Sequence, residues 1–290
     1  MKREMTKADV LTMIHQTNNL FDETGRLFNQ YNHTAAAGSV AAIEEVSFAT
    51  PEVIRDVYYR GMQSLEVAAD HLVAFTACIE EPSKTLAPAT CVRGLLESCA
   101  LGIWFLDSTI DAKTRVARCF AFRYEGFVQQ IKIFGVESKQ TEIVAVRKRM
   151  SDVDDSAFAL GYSRLRNSKG SITGIGQSMP SITSLIGITL DRETEYRLLS
   201  GVAHGHHWAT HQLGFREITT IDATGKEVIA LEKVLHANVA LYLGLIGVTS
   251  FTKLTWELWQ LFGWNTKELV ELFDSTFDNI GLNDNYRFWL

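Results

Sequence analysis

A chain of 290 residues, 46% hydrophobic and 21% charged, is long enough to bury a substantial core as one large domain. Its formal net charge of −6 excludes a globally basic surface, so any contact with nucleic-acid phosphates must rest on a local patch. Cys78, Cys91, Cys99 and Cys119 have neither metal-finger nor CxxC spacing, and read as buried free thiols of a protein kept in the reducing cytoplasm.

The opening "MKREMTKADVLTMIHQ" is charged and lacks the apolar run of a secretory leader. Val10, Ile14, Phe21 and Phe28 then form the stripe of a first helix ending near Tyr31, which can stand at the periphery (residues 1–35) of a single helical domain over 1–290. "AAAGSVAAIEEVSF" reads as a loose connector. Thr50 as N-cap and Pro51 at the first helical position predict a second helix, running to about Glu80, where "EEPSKTLAP" breaks it. "ATCVRGLLESCALGIWFLD" is a third helix ended by Asp107 and Ser108. A fourth starts near Asp111, carries Arg115, Arg118 and Arg123, and reaches about Phe134. "KQTEIVAVRKRM" is a fifth and the most basic short window in the chain.

Residues 163–181 form the best loop candidate, with Gly174-x-Gly176 lacking the spacing of a phosphate cradle. A helix is expected from about Asp191, with Asp191, Glu193 and Glu195 placed favourably for its dipole. "REITTIDATGKEVIALE" is the one credible strand region, a short β-hairpin near 217–231 with a Thr-Gly turn. Two helices follow, over 232–262 and from Thr266 to about Phe277. "VLHANVALYLGLIGVTSFT" in the first of these is just long enough to raise a membrane question, but its polar residues and lack of a second span make it a buried core helix. The fold class is all-α: an up-and-down helical bundle with a short hairpin, not embedded in a membrane.

Within the third helix Arg93 and Glu97 form an i,i+4 pair among apolar residues, and charges there must pair or face a polar cavity. Arg115 and Arg118 share one face of the fourth helix, available to Glu97 or to an external anion. The densest chemistry lies in "YRLLSGVAHGHHWATHQLGF" (196–215), with four of the eight histidines. On an unbroken helix Arg197, Ser200, His204, His207 and His211 fall within an arc of about 80°, while His206 points nearly opposite Arg197. A guanidinium, a hydroxyl and imidazoles are the inventory for holding a phosphate and moving protons near neutral pH. Gly201 and Gly205 each weaken a helix by about 1 kcal/mol relative to alanine. The helix therefore either breaks near Gly205 or uses the two glycines for a close crossing, within the chain or at a dimer seam.

Arg197 and His204, with six residues between them, resemble the Arg-x4-6-His motif of the HEPN superfamily of all-α bundles, many of which are metal-independent ribonucleases. The resemblance implies a composite site at a homodimer interface, with RNA as partner and no cofactor or metal. Arg197 would hold the scissile phosphate and His204 would act as general acid and base during attack by the ribose 2′-OH. Tyr196, Ser200, His207, Arg93, Glu97, Arg115 and Arg118 would support substrate or site. Many active members carry a polar residue directly after the arginine; here that position is Leu198, and Ser200 is the nearest polar substitute. The resemblance also implies the toxin or phage-defence class of RNase. "CVRGLLESCALGIWFLD" followed by "RVARCF" is similar to segments of uncharacterised bacterial helical proteins.

Two other readings stand beside it. One is a non-catalytic helical binding or scaffold protein, its own protein partner unspecified, in which Arg93, Glu97, Arg197 and His204 form a buried polar network. The other is a metal protein ligated by His204, His207 and His211, whose spread of about 10 Å along one helix prevents all three from reaching one ion without a bend.

Overall fold

Side-chain caps written into the sequence open several of the helices. The computed structural model describes residues 6–281, so the first five residues of the peripheral-helix expectation lie outside the described residues. Thr6 and Asp9 close a capping box at the start of α1 (Lys7–Gln30). Ser39 caps α2 (Val40–Ser47) by accepting the Ala42 N–H, so the expected connector contains a helix. Pro51 opens α3 (Pro51–Ile79), and α4 (Ala87–Leu106) stops at Asp107, as the spacing predicts. Asp111 accepts the Thr114 N–H to start α5 (Ala112–Val136). The basic helix α6 (Gln140–Ala159) runs nine residues past Met150, to Ala159.

The 163–181 segment is not wholly irregular. It holds a small antiparallel sheet of β1 (Arg164–Arg166), β2 (Ile172–Ile175) and β3 (Gln177–Ser178), which rests on α5. Next come α7 (Ile182–Leu190), α8 (Glu193–Ala203) and α9 (His207–Gly214). The expected hairpin forms as β4 (Phe215–Ile221) paired with β5 (Glu227–Lys233), and turns at Gly225 with φ +83°. The last two helices are α10 (Ala237–Phe262) and α11 (Lys267–Asn279). The chain is therefore an all-α bundle with a short hairpin, plus a second small sheet that the sequence reading took as loop.

The bundle is centred on α3, α4 and α10. Gly102 lets α10 approach α4, since a Cβ there would lie 2.6 Å from a Leu254 methyl. Both α4 and α10 are long and apolar enough to cross a membrane, but 61% and 72% of their apolar windows are buried inside the molecule. The hydroxyls of Thr249, Ser250, Thr252 and Thr255 in α10 donate to carbonyls three or four residues earlier, which satisfies them within the core. α1 is not peripheral: Met13, Leu20 and Leu27 enter the common core, and it packs on α3, α10 and α11.

Among the described residues Arg115 is the one charged side chain that is fully buried. Its guanidinium donates to Glu44 of α2 (Nε–Oε2 3.1 Å) and to the carbonyls of Phe105, Asp107 and Ile110. Tyr58 donates to the same carboxylate. A buried charge needs this saturation. Arg115 thus ties α2 to the α4–α5 turn, and its burial leaves it out of reach of Glu97 and of solvent.

Candidate functional site

α8 is short and presents its two sides very differently. Asp191 ends α7 in the left-handed region (φ 54°) rather than opening α8. Glu193 and Glu195 then occupy the first turn of α8, favourably for its dipole. Tyr196, Leu199 and Val202 are buried, and α8 packs against α4 and α7. Arg197 turns outward: its Nε and Nη2 donate to Glu193 Oε1 at 2.9 and 2.7 Å, with 64% of the side chain exposed.

The helix ends at His204. Its N–H donates to the Ser200 carbonyl, Gly205 takes φ +68°, and the His206 N–H returns to the Gly201 carbonyl. Only glycine takes this left-handed conformation without strain. The chain then restarts as α9, so the five-residue stripe through His207 and His211 does not exist. Arg197 and His204 remain two turns apart on one face, about 10 Å along the axis. Ser200 lies between them, half-buried.

The break also changes the histidine arrangement. His206, expected on the far side, comes to lie near His204, with ring centroids 6.2 Å apart. His207 and His211 pair separately along α9, with centroids 4.0 Å apart, and His211 stacks on Phe215. Among the described residues no three His, Cys, Asp or Glu side chains form a metal-holding group. The three-histidine ligand set is therefore not assembled.

Gly201 explains how α9 folds back. A Cβ at Gly201 would lie 2.8 Å from Ala209 and from the Trp208 ring, so the glycine permits a tight intrachain crossing. Trp208 covers Gly201 with one edge and remains 53% exposed. It carries no motif signal, and sequence reasoning passed over it. Glu193 was noted only for the helix dipole, although its i,i+4 spacing to Arg197 is visible in the sequence.

Of the supporting residues, Arg93, Glu97 and Tyr196 do come together. Arg93 Nε lies 3.0 Å from Glu97 Oε1, the Tyr196 hydroxyl donates to the same oxygen at 2.9 Å, and the Arg93 guanidinium sits 5.7 Å from the Tyr196 ring centre. Burial raises the Tyr196 phenol above its ordinary value against the opposing Arg93 bond, with Glu97 adding to the rise. This network lies at the α4–α8 seam and does not include Arg197 or His204. Arg118 goes elsewhere, to the Trp104 carbonyl and Asp107. Neither Arg115 nor Arg118 joins the histidine region.

The four thiols are free, as expected, but only Cys99 and Cys119 are buried; Cys78 and Cys91 are half-buried. No protein-family model matches the chain, and no curated protein or solved structure is similar to it.

Proposed function

We propose that the chain is a metal-independent endoribonuclease, active as a cytoplasmic homodimer, in which Arg197 holds the scissile phosphate and His204 moves the proton. The observation that carries this reading is that Arg197 and His204 share one exposed face of α8 while the rest of that helix is anchored to α4. Among the described residues Arg197 is held by a surface carboxylate one turn away, a pair weak enough for a phosphate to displace. The guanidinium bends toward the N-terminus of α8 and away from His204. Antiparallel pairing of two such faces would set the arginine of one protomer beside the histidine of the other. In the reaction the ribose 2′-oxygen bonds to phosphorus and the bond to the 5′-oxygen breaks. His204 takes the 2′-hydroxyl proton, and a protonated imidazole supplies one to the departing oxygen. The half-exposed Trp208 beside α8 offers a ring for an unpaired base. The toxin or phage-defence role belongs to this same reading.

The test is cleavage of a single-stranded RNA by EDTA-treated protein. The expected product carries a 2′,3′-cyclic phosphate, and Arg197→Ala and His204→Ala should each abolish it. Intact RNA, or full activity in both variants, overturns the reading. A second reading, a non-catalytic helical binding protein, is favoured by one observation: Arg93, Glu97 and Tyr196 form their polar network without Arg197 or His204. For that reading, these two substitutions change neither stability nor any RNA.

A further inference from the structure

The two helices α5 and α6 and the middle of α3 enclose an open pocket of about 510 Å³. Its volume falls in the range of small-molecule sites, roughly 300–1,000 Å³. It shares no residue with α8, α9 or the histidines. Arg60, Arg123 and Arg149 reach it from three different helices, against one lining carboxylate, Asp152. Asp152 is itself 3.3 Å from Lys148, and a single carboxylate behind the wall, Asp56, lies 3.3 Å from both Arg60 and Arg123. Arg149 donates to Gln130 at 3.2 Å. Each guanidinium has five donors, so these contacts leave most of them free for an anion.

The wall is aromatic. Half-buried Phe122 lines the pocket from α5, while Phe127 is a core residue with only its edge at the pocket and the Arg149 guanidinium 5.9 Å from its ring centre. Gly126, one turn after Phe122, also lines the pocket and lies in the middle of a helix, where glycine costs about 1 kcal/mol relative to alanine. A Cβ there would meet nothing within 4 Å, so no packing demands the glycine. What its missing side chain does is keep the floor open. Planar guanidinium groups suit phosphate, and flat rings suit a base.

We propose that this pocket binds a free mononucleotide, the arginines taking its phosphate and the half-buried Phe122 offering its ring to the base. This site stands independently of the ribonuclease reading. The test is equilibrium binding of AMP and UMP to the full chain by titration calorimetry, with adenosine, inorganic phosphate and a short single-stranded RNA as comparison probes. AMP or UMP should bind at least about ten-fold more tightly than adenosine or phosphate, the ratio expected when ring and anion are both recognised. Gly126→Leu fills the floor and Arg149→Gln removes the exposed arginine. Each should lower affinity about ten-fold or more with an unchanged melting temperature, whereas Arg197→Ala binds as wild type. Should Gly126→Leu misfold, Arg149→Gln and Arg149→Glu decide. No binding at about millimolar nucleotide, equal affinity for AMP and adenosine, wild-type affinity in the pocket variants, or binding of the RNA but of no mononucleotide would each overturn the proposal.

Discussion

The Tyr196 hydroxyl donates a 2.9 Å hydrogen bond to Glu97 Oε1 across the α4–α8 seam, while the next residue, Arg197, points to solvent. One peptide step separates what holds α8 in place from what it presents. Tyr196→Phe deletes a bond to a charged acceptor but leaves Arg93 on that carboxylate. It should lower stability by about 1–2 kcal/mol. Arg197→Ala should stay within about 0.5 kcal/mol of wild type. Urea denaturation of both variants tests the separation; an equal loss in the two would mean that Arg197 is structural.

How much of this was legible follows the range of the forces involved. Caps and apolar stripes are local, so the starts of α3 and α5 and the end of α4 could be read directly. Arg115 could not be placed, because its partner Glu44 is 71 residues away on a helix hidden in an alanine-rich connector. α7, "ITSLIGITL", is apolar nearly all round and gives no period, although Ile188 is 77% exposed. The β1–β2–β3 sheet depends on its seat against α5 rather than on strand-forming residues. In the histidine stretch the sequence posed the choice correctly, break or crossing, and the fold uses both: Gly205 for the break and Gly201 for the crossing.

The two glycines therefore predict different penalties. Gly201→Ala drives a methyl into Trp208 and Ala209 and should cost about 1–3 kcal/mol through overpacking. Gly205→Ala meets no atom within 4 Å and costs only its left-handed backbone, about 1–2 kcal/mol. Trp208 fluorescence distinguishes them, since only the first change should move the ring. A shifted spectrum in Gly205→Ala alone would contradict this division.

Arg115→Met leaves Glu44 buried beside Tyr58 without its cation and should cost about 3–5 kcal/mol. The double variant Arg115→Met/Glu44→Leu removes both charges, and should recover much of that loss. Thermal melts of the three chains test the coupling. Additive penalties would show that the two charges act separately.

Alkaline pH should destabilise the fold through buried thiols and a buried phenol. Burial pushes the Cys91 thiol up to about 11, with the neighbouring Cys78 adding to the rise. Burial likewise pushes Cys119 up to about 12, helped by the Asp56 charge, and the Tyr162 phenol up to about 12. Each group holds its proton more tightly folded than unfolded, so the stabilisation is complete below the unfolded values, 9.0 for the thiols and 10.0 for the phenol. As pH rises through the window from there to about 12, the unfolded chain releases these protons first and stability falls. Melting temperatures measured between about pH 8 and pH 11 should decline, and Cys119→Ala should flatten the slope by removing one titrating group. A flat profile, or a slope unchanged in that variant, would show that burial at Cys119 does not hold the thiol protonated.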